Sequence, residues 1–169
     1  MSTFVSVGNA IQPFPRLLNA VRGAIDILPR PIVIQRGNTS FEMSGTKLVD
    51  FLGMEEFEEL IEASEIVILH CGAGSIIHAL NKGKSPIVMP RKNKYNEHID
   101  DHQVEMAIAL SNMSRIQVFN DSDSLSRCVN EVSSKRNTIY SDPDVMSNKM
   151  SRMVGEVLRE YSIKLDRNL

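Results

Sequence analysis

Tryptophan is missing from this sequence, cysteine occurs twice, and the formal net charge is only −2 over 169 residues. Each shortage removes a class of protein. Cys71 and Cys128 cannot build a disulfide framework. A near-neutral chain whose basic residues cluster only as Arg91, Lys92 and Lys94 argues against nucleic acid as a partner. No apolar run approaches the roughly 18 residues of a spanning helix. The start, MSTFVSVGNA, lacks the basic region and apolar core of a signal peptide. These absences lead to the expectation of a reducing, cytoplasmic setting. What is present is ordinary for a globular domain: 42% hydrophobic and 24% charged residues. The length suits one domain of about 100–200 residues.

Apolar runs and helical stripes alternate along the chain. Strands are predicted at Thr3–Val7, Pro31–Gln35, Lys47–Leu52, Glu65–His70, Pro86–Pro90 and Arg115–Phe119. Between them, Phe14, Leu17, Leu18, Val21, Ile25 and Leu28 follow helical spacing, with Pro13 in the first turn. Met54, Phe57, Leu60 and Ile61 line a second helix, Ser75–Leu80 forms a third, and Ile99–Leu110 a fourth. Asp121 is placed to cap a fifth helix running to about Ser133. Asp142-Pro143 marks a linker before a last helix with an apolar stripe from Met150 to Tyr161. Strands that are continuously apolar imply a parallel sheet covered on both faces. The expected class is α/β, Rossmann-like, with a domain over 1–141 and a linker and amphipathic helix over 142–169. That helix packs on its own sheet or docks a partner.

The stretch HCGAGSIIHALNKGKSP, residues 70–86, contains two incomplete nucleotide motifs. Gly72 and Gly74 begin the dinucleotide fingerprint, but Ile77 stands where a third glycine or alanine permits close helix–strand approach. Gly83-Lys84-Ser85 ends like a phosphate loop, but His78 replaces its first glycine, and the motif leads into a strand instead of a helix. What survives is a strand, a glycine turn and a helix start, which leaves N–H groups and a positive dipole end facing a ligand. The feature reads as an anion cradle or as a plain turn.

A second block follows, MPRKNKYNEHIDDHQVEMA, residues 89–107, at the same edge of the sheet. Together the blocks, H-x-G-A-G-S then G-K-x-P-I-V-x-P then D-x-H-Q-x-E, resemble the donor-binding C-terminal domain of GT-B glycosyltransferases, glycosyltransferase family 28, the MurG-type branch. The resemblance runs from FVSVGN through about Leu110. A chain with room for one lobe looks like the small subunit of a split transferase. That type is known from bacterial exopolysaccharide and capsule synthesis (the PssE type) and from the eukaryotic transferase acting on dolichol-linked N-acetylglucosamine.

The resemblance implies a UDP-sugar donor, inversion at the anomeric carbon, and a lipid-linked acceptor. It implies a membrane-anchored partner subunit that holds the acceptor and supplies the catalytic base. The chain is then peripheral at the inner face of the membrane through that partner, with no cofactor and no essential metal. Gly72, Ala73, Gly74 and Ser75 match the family's diphosphate loop, and Gly8 and Asn9 its first-strand loop. His102 and Gln103 match a pair that contacts donor-sugar hydroxyls, with Glu105 following. His78 stands where many members carry a glutamate that binds ribose. The rival function is a non-catalytic subunit that stabilises a transferase.

The other charged groups have two readings each. His98 and His102 are four apart, as metal ligands on a helix face can be, but no third ligand is placed by the sequence. His70 assists the phosphates or packs beside the loop. Arg91, Lys92 and Lys94 form a solvated loop or approach an anion. Glu105 contacts the donor or complements the dipole of its helix.

Overall fold

The computed structural model describes residues 2–112 and 116–136, the last two by backbone alone. The linker at Asp142-Pro143 and the stripe from Met150 to Tyr161 lie outside them. Six strands form one parallel sheet: β1 (Thr3–Ser6), β2 (Ile32–Gln35), β3 (Lys47–Val49), β4 (Ile66–His70), β5 (Ile87–Met89) and β6 (Gln117–Val118). Their order is β3-β2-β1-β4-β5-β6. The register sets Thr3 beside both Ile32 and Ile66, and Ile68 beside Ile87. Right-handed crossovers through helices are the general solution for such parallel neighbours.

The helices are α1 (Pro15–Gly23), α2 (Met54–Ala63), α3 (Ala73–Asn81), α4 (His102–Ser111) and α5 (Ser122–Arg136). Alternation along each strand feeds two cores. Val5, Ile34 and Ile68 pack with Leu17, Leu18, Val21, Leu125 and Val129 from α1 and α5. Phe4, Val67 and Leu69 pack on the other face with Phe57, Ile61, Ile76, Leu80, Met106 and Leu110 from α2, α3 and α4. Each such fully buried side chain contributes roughly 1.5–3 kcal/mol relative to exposure. The predicted doubly covered sheet is therefore present.

Boundaries differ where polar contacts outrank the apolar pattern. The first helix starts at Pro15 and not Pro13; Phe14 is its N-cap, and the Phe14 N–H donates to Thr39 Oγ1 at 2.8 Å. The fourth begins at His102, three residues after Ile99, because residues 98–101 form a hydrogen-bonded loop. Asp121 caps α5 as expected: its carboxylate accepts from the Ser124 N–H at 2.8 Å.

Candidate functional site

The chain reverses direction across the sheet between β1 and β4, whose neighbours run outward on opposite sides. At such a switch point the loops leaving the two strands diverge and open a crevice at their carboxyl ends. A cavity of about 380 Å³ lies there, lined by Gly8, Asn9, Gly72, Gly74, Ser75 and His78 among others. The structure thus brings together both glycine turns and His78. Ala73, the first residue of α3, packs instead against the core on the α2–α3 face.

The start of α3 carries no side-chain cap. Its first intrahelical bond, from the Ile76 N–H to the Gly72 carbonyl at 3.0 Å, leaves the N–H groups of residues 73–75 without intrahelical acceptors. Helix N-termini of this kind favour anions. A Cβ on Gly74 would meet nothing within 4 Å, so the backbone there is open to close approach. The other end of α3 explains the false phosphate loop. Gly83, at φ +67°, stops the helix with its N–H on the Leu80 carbonyl, and the Lys84 N–H reaches the Ala79 carbonyl. The Lys84 ammonium donates to the Glu62 and Ser64 carbonyls, at 2.7 and 2.8 Å, behind the end of α2.

His70 sits between the two turns. A Cβ at Gly8 would come within 2.6 Å of the His70 Nε2, and a Cβ at Gly72 would also collide with the ring. Gly8 is additionally at φ +78°, where other residues are strained. The His70 Nδ1 is buried without a partner. Burial pushes the imidazole down to about 4; the Arg91 cation and His98 act in the same direction, against a hydrogen bond with the Ser6 backbone. The ring is neutral at neutral pH and fills the space between the two glycine turns without adding charge.

Beneath Gly8 lies a polar chain that the sequence did not reveal. Ser6 Oγ donates to Gln35 Oε1 at 2.6 Å, Gln35 Nε2 donates to Asn9 Oδ1 at 2.8 Å, and the Gly8 N–H donates to Ser6 Oγ at 3.1 Å. Asn9 is therefore oriented by Gln35 from the neighbouring strand. Ser6 and Gln35 also line the cavity, with Leu52, Met54 and Phe57 forming an apolar wall. No motif marks these residues; only the pairing of β1 with β2 places Gln35 beside Ser6. His78 has a carboxylate partner from α2, Glu58 Oε1 at 2.8 Å from Nδ1, and packs edge-on against Phe57.

The second block lies on the loop after β5 and the start of α4. His102 Nδ1 contacts Asp100. Gln103 is 5% exposed, and its Oε1 accepts from the Arg91 N–H at 3.2 Å. Glu105 is exposed on the first turn of α4. None of these three lines the cavity, so the structure does not bring them to the glycine turns.

Arg91 departs from the reading of a solvated loop. It is wholly buried and donates to the carbonyls of Gln12, Glu97 and Val7 at 2.9, 3.0 and 2.8 Å. Burial pushes the guanidinium down to about 10, while Glu97 raises it, so the cation persists at neutral pH. Glu97, itself buried, also binds Arg16 at 2.7 Å. One cation thereby ties the loop after β1 to the loop after β5. Burial pushes the Cys71 thiol up to about 12, so it stays protonated at neutral pH. No described helix is long and apolar enough to cross a membrane.

Comparison with known proteins agrees with this architecture. UDP-N-acetylglucosamine transferase subunit ALG13 of Yarrowia lipolytica is 31% identical over 81 residues, 46% of this chain and 39% of that protein. Two solved structures share the fold. The glycotransferase of kitacinnamycin has a TM-score of 0.58 at 17% identity, covering 99% of this chain and 43% of that one. MurG of Acinetobacter baumannii has a TM-score of 0.51 at 15% identity, covering 86% and 43%. The chain spans less than half the length of these relatives. Its sheet and helices are those of the C-terminal, Rossmann-like lobe of GT-B glycosyltransferases. Residues 4–156 match the glycosyltransferase family 28 C-terminal domain, and the chain belongs to that family.

Proposed function

We propose that this chain binds the UDP-sugar donor for a two-component inverting glycosyltransferase that glycosylates a lipid-linked acceptor. The observation that carries the reading is the uncapped start of α3, opening on a cavity of about 380 Å³ opposite the Gly8 turn. In this reading the N–H groups around Gly72, Ala73, Gly74 and Ser75 hold the donor diphosphate, with Gly8 and Asn9 closing the other side. As the glycosidic bond to the diphosphate breaks, negative charge grows on the leaving oxygens. Preoriented N–H dipoles stabilise that charge without reorganising.

His78 faces the nucleoside side of the cleft. With its Nδ1–H donated to Glu58, the Nε2 lone pair accepts from a ribose hydroxyl. His102, Gln103 and Glu105 serve the donor sugar at the other end, which requires the loop after β5 to close on the ligand. No metal is assigned to the transfer step. The general base that deprotonates the acceptor hydroxyl belongs to a separate, membrane-anchored subunit, and this chain stays at the membrane's inner face through it. The description of the Yarrowia relative as a transferase subunit supports a partnered enzyme.

Calorimetric titration of UDP and a panel of UDP-sugars tests the reading, with the chain alone and with its partner. UDP should bind the chain alone, competitively with the productive UDP-sugar, while transfer appears only with the partner. Absence of UDP binding in both preparations refutes donor binding and favours a stabilising subunit. Robust transfer by the chain alone refutes the two-component arrangement.

A further inference from the structure

We infer that His98, Asp100 and His102 form a binding site for a divalent transition-metal ion of the Zn²⁺, Co²⁺ or Ni²⁺ kind. The sequence supplied two histidines without a third ligand; the structure supplies it. His98 Nδ1 lies 3.0 Å from Asp100 Oδ1, and His102 Nδ1 reaches the same oxygen. The three ligand atoms lie within 4.8 Å of one another. The two rings pack edge to face with centroids 4.6 Å apart, so both imidazoles hold the same nitrogen toward one point.

The convergence does not come from a helix face, because His98 precedes α4. It comes from a braced loop. The Asn93 side-chain amide donates to the carbonyls of His98 and Ile99 at 3.3 and 2.8 Å, and the Asn93 N–H donates to Asp101 Oδ1 at 2.8 Å. Asp101 thus holds the loop, while Asp100 Oδ1, fixed by the His102 N–H at 3.2 Å, faces the two imidazoles. Ligands fixed before binding lose less freedom when the ion arrives.

Two imidazole nitrogens and one carboxylate oxygen suit borderline ions, whereas Mg²⁺ and Ca²⁺ prefer all-oxygen shells. Three protein ligands leave positions open for water or a ligand oxygen. All three residues are partly exposed, so an ion can reach them. The site shares His102 with the donor-sugar contact proposed above, but its test reads binding of the ion to the chain alone and does not depend on UDP-sugar binding.

The test uses the full chain free of any histidine tag. Zn²⁺ is titrated by calorimetry in a non-coordinating buffer, and Co²⁺ binding is followed by its visible absorption. One ion per chain is expected. Outer-shell changes alone weaken metal sites by about 10–100-fold, so His98→Ala and Asp100→Asn should each weaken binding by at least about tenfold. His78→Ala, which alters a histidine outside the cluster, should leave affinity unchanged. Circular dichroism confirms that each variant is folded. Failure to bind one ion per chain, or affinity unchanged in folded His98→Ala and Asp100→Asn, overturns the inference.

Discussion

Acid is expected to weaken this fold through His70 before it acts on the carboxylates. Burial holds the His70 imidazole near 4 in the folded chain, against an ordinary 6.5. A proton taken up between these values therefore goes to the unfolded chain. The stabilising contribution is fully present above about 6.5 and falls as the pH drops toward about 4. At about 1.36 kcal/mol per unit, this gap is worth about 3 kcal/mol. That is a large share of the roughly 5–15 kcal/mol that holds a typical domain. The carboxylates act in a lower window. Asp121 is held below its ordinary 3.8 by Ser124; Asp100 is also lowered, its His102 hydrogen bonds outweighing the opposing desolvation. Their contributions are lost only as the pH falls below about 3.8. Urea unfolding from about pH 7 to pH 4 should show the wild type losing stability steadily. His70→Gln, which cannot titrate, should show a much flatter dependence, whatever its absolute stability. Parallel pH curves for the two proteins would refute the argument from His70 burial.

The two cradle glycines should separate stability from binding. Gly74→Ala adds a Cβ to open space in the first turn of a helix, so it should stabilise by up to about 1 kcal/mol. It should raise Tm by a few degrees and abolish UDP binding in the same calorimetric assay. Gly72→Ala instead drives a methyl group into the His70 ring and should cost about 1–3 kcal/mol by thermal denaturation. Arg91→Met leaves three backbone carbonyls without their buried donor, at about 1–3 kcal/mol each. Urea melts should show a loss of at least about 3 kcal/mol, and Arg91→Lys should not restore it, because an ammonium lacks the planar fork.

The strands were legible because a parallel sheet buries both faces. Runs such as IVIL within β4 then carry no polar residue to confuse the pattern. Helix stops were legible for a local reason: Gly83 alone adopts the conformation that ends α3. Helix starts were less so. α1 and α4 begin where Thr39 and Asn93 bond the chain, and those partners follow no hydrophobic period. The glycine turns were found because glycine itself is the signal. Ser6, Gln35 and Glu58 were not, because each reaches its partner across the sheet or between helices. Arg91 was misread for a related reason. Beside Lys92 and Lys94 it has the composition of a solvated loop, but one of its acceptors is the Val7 carbonyl, 84 residues away. His98 and His102 were noticed as a pair, yet Asp100 escaped because the three converge through a loop with no helical spacing.

The imidazole held between Gly8 and Gly72 makes positions 8, 70 and 72 a single unit of inheritance. A side chain gained at either glycine collides with the ring, and a ring lost at 70 leaves space that neither glycine can fill. A side chain gained at position 72 therefore asks for a smaller residue at 70 as well.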